Sequence, residues 1–111
     1  MSAEKRVYPR ILGPFDGTRV GVIDFPIQVH DISVGGCFVN YFAHPPEPGR
    51  RFTLRIDLPE QGPIEVRVES LYGRSKFGYA VRFVEISEEA RIKLLRAFET
   101  LADERRAYED A

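Results

Sequence analysis

The sequence has no tryptophan, one methionine, one cysteine and two histidines. A single cysteine cannot close an internal disulfide, which suits a reducing compartment. Two histidines and one cysteine are too few for a typical structural zinc site, so no metal is expected. No run approaches the roughly 20 apolar residues that a membrane span needs. The N-terminus, Met-Ser-Ala-Glu-Lys-Arg-Val, lacks the apolar stretch of a signal peptide. The expectation is a cytoplasmic protein without a membrane span. Positive charge is not in excess either: the net charge is −1, whereas a domain built to track nucleic acid is strongly basic. Eight acids and five bases from Glu85 to Ala111 give that segment −3, which leaves +2 on residues 1–84. That balance permits a local anion site in the first part of the chain but no long phosphate track.

What is present fits one domain. The chain has 111 residues, 43% of them hydrophobic, enough for a modest core without staples. Three zones follow. Residues 1–14 read as an arm. They are polar and basic without apolar periodicity, and Pro9 holds its own φ and pushes Tyr8 toward extended geometry. Residues 15–86 read as a small β-domain. Phe52, Leu54, Ile56 and Leu58 alternate with Thr53, Arg55 and Asp57, and Ile64, Val66 and Val68 alternate with Glu65, Arg67 and Glu69. Phe77, Tyr79, Val81 and Phe83 fall on one side of a further strand. Pro26 to Asp31 and Cys37 to Phe42 are two more strand candidates. Turns are expected at Asp16-Gly17, Pro45 to Gly49 and Gln61-Gly62-Pro63. Short strands at this spacing imply an antiparallel barrel or sandwich. Residues 87–111 read as a helix and polar tail. Ser87 is the expected N-cap, with Glu88 and Glu89 in the first turn. Ile92, Leu95, Phe98 and Leu101-Ala102 form the apolar stripe expected to pack on the barrel.

Two constellations carry chemistry. One is Arg6-x-x-x-Arg10 in the arm. The other is Asp31-Ile-Ser33-Val-Gly35-Gly36, an Asp-x-Ser-x-x-Gly pattern between two strands. The arginine spacing alone is uninformative, because Arg51 and Arg55 repeat it on the polar face of an alternating strand. Position distinguishes the copies: Arg6 and Arg10 precede the barrel, where no structural role is evident. The Asp-x-Ser-x-x-Gly run by itself also fits a plain turn, in which Asp and Ser bond backbone groups.

In this order, and followed by Pro48-Gly49, the strand to Leu58, Phe77 to Val84 and the Ser87-Glu-Glu helix, the motifs resemble those of the PilZ domain family. The resemblance covers most of the chain. It implies a six-stranded antiparallel β-barrel with one C-terminal helix and an N-terminal arm. It implies a binding module for cyclic di-GMP, not an enzyme, contacting the nucleotide through Arg6, Arg10, Asp31, Ser33 and Gly36. Gly35 and Lys5 are second-rank positions, and a basic residue before the first arginine leans toward two bound nucleotides. The chemistry agrees. A guanidinium fork matches phosphate and donates to guanine O6 and N7. Arg6 and Arg10 span at most about 13 Å when extended. The Asp31 carboxylate can accept from guanine N1–H and N2–H₂, and Ser33 can bond a base edge or phosphate. Gly35 and Gly36 allow positive φ and close backbone approach.

Other readings are weaker. His30, Asp31 and Ser33 invite comparison with a catalytic triad, but strict alternation would turn His30 away from the other two. Glu65 and Glu69, with Arg67 between them, read as a solvated face. A barrel binding single-stranded nucleic acid would need exposed aromatics beside a basic groove. With no tryptophan and most aromatics at core positions, neither DNA nor RNA is expected as a partner. A binding module of this kind acts through an unidentified protein partner. The competing expectation is a protein-interaction module of the same fold that uses no nucleotide.

Overall fold

The computed structural model describes residues 10–40, 46–71 and 77–110, with side chains through Leu101. Six strands, β1 (Ile11–Val20), β2 (Phe25–Ile32), β3 (Gly36–Asn40), β4 (Arg51–Leu58), β5 (Gly62–Ser70) and β6 (Gly78–Ile86), precede a single helix, α1 (Glu88–Asp110). Every strand pair is antiparallel, and the order β1-β2-β3-β6-β5-β4 closes on itself into a barrel.

The alternating segments behave as their pattern requires. Phe52, Leu54, Ile56 and Leu58 of β4 are buried, as are Ile64, Val66 and Val68 of β5. They meet in register: Leu54 opposes Val66, and Ile56 opposes Ile64. Val29 and Ile32 of β2, Val39 of β3 and Val81 of β6 complete the wall of the core.

Four expectations fail for identifiable reasons. The arm does not extend to Pro14, because β1 begins at Ile11, with Ile11 and Phe15 both buried. Gly13-Pro14 hides the strand's periodicity, and the β1–β2 register shifts between Leu12 and Phe15 to accommodate it. Asp16-Gly17 is not a turn but the middle of β1. A Cβ on Gly17 would lie 2.5 Å from the Arg55 carbonyl oxygen, so this glycine serves close strand approach. Phe77 precedes β6 and is 74% exposed. Phe83 is only partly buried, because the β5–β6 register shifts between Arg67 and Val68 and breaks the alternation. The strand expected to reach Phe42 is described as far as Asn40, and residues 41 and 42 lie outside the described residues.

The fourth difference concerns α1. Ser87 caps it as expected, its Oγ accepting from the Ala90 N–H at 3.0 Å. The buried face, however, is Ala90, Leu94, Ala97 and Phe98, with Leu101 partly buried, packed toward β5, β1 and β4. Ile92 and Leu95 are about 40% exposed. Two alanines flanking Leu94 let the helix backbone approach the barrel closely. A stripe weighted by side-chain size overlooks them.

Residues 46–50 lead into β4 at one end of the barrel. Ser70, the one buried polar residue among those described, anchors them. Its hydroxyl donates to the Glu47 carbonyl and accepts from the Arg50 N–H at 3.1 Å. Backbone bonds from Gly49 N–H to Ser70 O and from Ser70 N–H to Arg50 O, both 2.9 Å, complete the clamp. The barrel thus has two unlike ends. One carries the β2–β3 turn and the start of β1. The other carries the β1–β2 turn and the clamped segment before β4.

Candidate functional site

Arg10 stands immediately before β1, and pairing of Ile11 with Ile32 sets it beside the end of β2. Its Nη1 donates to Asp31 Oδ1 at 2.8 Å. The two motifs, 21 residues apart in sequence, therefore meet in a single ion pair at the barrel surface. The Asp31 side chain is 13% exposed and that of Arg10 44%. The pair uses one of five guanidinium donors and one carboxylate oxygen. Asp31 Oδ2 has no protein donor among the described residues.

A turn follows at once. The Ser33 N–H donates to the Gly36 carbonyl at 2.8 Å, and Ser33 Oγ donates to that carbonyl at 3.3 Å. The Gly35 N–H donates to Ser33 Oγ at 3.3 Å, and the Phe83 N–H ties the Gly35 carbonyl to β6 at 2.8 Å. The turn is thus built as the plain reading of the motif requires, and Asp31 is left out of it, available beside it. Gly36 pairs with Arg82, and a Cβ there would lie 2.2 Å from the Val81 carbonyl oxygen. Gly35 has open space around it. Neither glycine has a positive φ; among the described residues only Gly49, Gly62 and Glu60 do. Neither Gly35 nor Gly36 therefore uses the positive φ that glycine allows, and Gly36 makes a close backbone approach to β6. Lys5 and Arg6 lie outside the described residues.

Arg82 carries no sequence signal, and Glu69 reads from sequence only as part of a solvated face. They form an ion pair on the outer face of β6 and β5, next to Gly36 across the β3–β6 seam. No sequence motif signals them, since β3 and β6 are neighbours only through barrel closure.

His30 and Asp31 do not form a triad with Ser33, but alternation is not the reason. The β2–β3 register shifts between Val29 and Asp31, so Val29 and Ile32 both face the core and neither His30 nor Asp31 does. His30 makes an edge contact with the Phe38 ring, and Asp31 pairs with Arg10. The repeated spacing at Arg51 and Arg55 is accounted for by the sheet. Arg55 opposes Glu65 and donates to its Oε2 through Nη2 at 2.8 Å and Nε at 3.2 Å. Glu65 and Glu69 are thus each ion-paired, not coupled to one another.

Cys37 lies buried beneath this surface. Burial, and secondarily the charge of Asp31, push its thiol well above the ordinary range, so it is no nucleophile at neutral pH. The folded state holds this proton where the unfolded chain releases it. Stability should therefore be unaffected by Cys37 below about pH 8.5 and fall above it, by up to about 1.4 kcal/mol per pH unit. Denaturant titrations at pH 8 and pH 10 should show Cys37→Ala losing less stability over that interval than the wild type. Equal losses would contradict this origin.

Among the described residues no group of histidine, cysteine and acidic side chains is placed to hold a metal, and no helix is long and apolar enough to cross a membrane.

Comparison with known proteins bears on this arrangement. The profile of the family described as PilZ domain matches residues 4–99. No curated protein matches the chain. Among solved structures, Escherichia coli YcgR in complex with c-di-GMP superposes with a TM-score of 0.75 at 19% identity, covering 96% of this chain and 50% of that one. The PilZ domain of YcgR with c-di-GMP gives 0.70 at 18% identity, covering 96% and 98%. The Bacillus subtilis inhibitor of motility MotI (DgrA) gives 0.75 at 20% identity, covering 97% and 53%. The chain spans about half the length of the YcgR and MotI chains.

Proposed function

The chain belongs to the PilZ domain family, and on that premise we propose that it is a receptor for cyclic di-GMP, a binding module and not an enzyme. The observation that carries the reading is the Arg10–Asp31 ion pair beside the Ser33–Gly36 turn. It joins the two motifs on one open surface, with donors of Arg10 and Oδ2 of Asp31 still free for a ligand. Arg10 offers phosphate or guanine contacts, Asp31 accepts from a guanine edge, Ser33 supplies a hydroxyl, and Gly36 offers backbone free of a side chain. Arg6, and in second rank Lys5, reach the same ligand from the arm. Gly35 is a second-rank backbone contact.

In this reading the nucleotide fixes the arm against the barrel and changes the surface offered to a protein partner, in the cytoplasm. Arg10 is already held by Asp31, which reduces the ordering that binding requires. The complexes of YcgR with c-di-GMP and of Klebsiella pneumoniae MrkH with c-di-GMP share this fold and support the choice of ligand.

A thermal melt tests the reading. Cyclic di-GMP at about 100 times its Kd should add about 2.7 kcal/mol, which raises Tm by roughly 10 °C for a chain of this size. No shift at saturating nucleotide would favour the competing reading, a PilZ-fold interaction module that binds none. Calorimetric stoichiometry of one or two nucleotides per chain then tests the role of Lys5.

A further inference from the structure

The end of the barrel opposite the Ser33–Gly36 turn carries a cleft of about 690 Å³. Its lining is mainly apolar, including Ile27, Phe52 and Tyr79. Arg19 stacks on the Phe52 ring at 4.6 Å. Arg19 and Arg50 both line the cleft, and neither has an ion-pair partner among the described residues. Beside this hollow stands a projection. The β1–β2 turn forms one wall of the cleft and carries Val22, fully exposed, Ile23, 68% exposed, and Phe25, half exposed. Asp24 sits at the same tip, shaping it by accepting from the Gly21 N–H at 3.0 Å.

Three apolar side chains within four residues at this tip stay half to fully exposed, an apolar cluster the chain itself does not cover. A convex apolar tip with an acid, next to a concave apolar cleft with two arginines, is self-complementary. Self-complementarity of one patch is what a two-fold axis needs. Closure of the barrel leaves no free strand edge among the described strands, so association here depends on side chains and not on strand addition.

We infer that this end of the barrel is a homodimer interface, in which the Val22–Phe25 tip of each copy seats in the Arg19–Phe52–Tyr79 cleft of the other. Two-fold pairing brings the Asp24 carboxylate of each copy to the arginines of its partner. The interface lies away from Arg10, Asp31 and the Ser33–Gly36 turn, so it does not rest on the nucleotide reading and leaves that site open.

Sedimentation velocity on the full chain without nucleotide tests this, from about 1 to 500 µM. The expected result is a rise from monomer to dimer, with no larger species, because a two-fold contact closes on itself. Val22→Asp combined with Ile23→Asp should weaken dimerisation at least tenfold, and Arg50→Glu should weaken it several-fold. These side chains are exposed, so each variant should keep the wild-type melting temperature at low concentration. Species beyond the dimer, or unchanged association in either variant, overturn the proposal. A wild-type chain that stays monomeric throughout also overturns it, and leaves the cleft to a partner of another kind.

Discussion

Gly36→Ala should destabilise the fold by about 3 kcal/mol, whereas Gly35→Ala should cost less than about 0.5 kcal/mol. The two glycines are adjacent in sequence but differ in surroundings. A Cβ on Gly36 would lie 2.2 Å from the Val81 carbonyl oxygen and 3.1 Å from the Arg82 Cα. Both are backbone atoms, so no rotamer change relieves the clash. The β3–β6 seam must open instead, and that seam joins strands distant in sequence and closes the barrel. The Gly36 carbonyl also receives the Ser33 N–H, so the turn shifts with it. A Cβ on Gly35 meets nothing within 4 Å, and its φ is not positive. Urea denaturation at unchanged m-value measures both effects, and the larger corresponds to a Tm loss of roughly 10 °C. Equal losses from the two variants would mean that close strand approach is not the reason for Gly36.

Arg10→Ala should weaken cyclic di-GMP binding at least tenfold while leaving stability nearly unchanged, and Arg55→Ala should leave binding nearly unchanged. Tenfold corresponds to about 1.4 kcal/mol, within reach of one lost charge-assisted hydrogen bond at roughly 1.5–3 kcal/mol. The Arg10–Asp31 pair is partly exposed, and such pairs contribute roughly 0.2–1 kcal/mol to stability. The loss therefore falls on binding. Arg55 has the same i, i+4 partner spacing, but its donors are committed to Glu65 on the neighbouring strand. Calorimetry on the two variants separates the copies. Equal effects would remove the site from Arg10, and stability loss without affinity loss would make the ion pair purely structural.

Much of this is legible in the amino-acid sequence. Alternation in residues 52–58 and 64–68 assigned β4 and β5 and their buried faces, because a pleated strand with one face in a core leaves a period of two. Ser87 marked the helix start, because capping is a local interaction between a hydroxyl and the next turn. The two motifs pointed to one another through resemblance and order. Where the signal was local but ambiguous, reading failed. Gly17 in the middle of β1 has the composition of a turn, and only the approach of the Arg55 carbonyl explains it. Ala90 and Ala97 carry little apolar weight, yet their small size turns α1 so that Leu94, and not Leu95, enters the core.

By itself, then, the sequence determined the antiparallel β class, several strands with their buried faces, and the start of the helix, through local periodicity and capping. The choice of Arg6, Arg10, Asp31, Ser33 and Gly36 as the residues to watch came from a family resemblance in the order and place of two motifs. Tertiary structure alone decided that Arg10 reaches Asp31 across 21 residues, that Gly36 faces Val81 and Arg82, and that Arg55 is tied to Glu65. It alone set the Val22–Phe25 tip beside an apolar cleft at the far end of the barrel. These are relations between strands made neighbours by register, bulges and barrel closure, and no pattern along one strand encodes its partner.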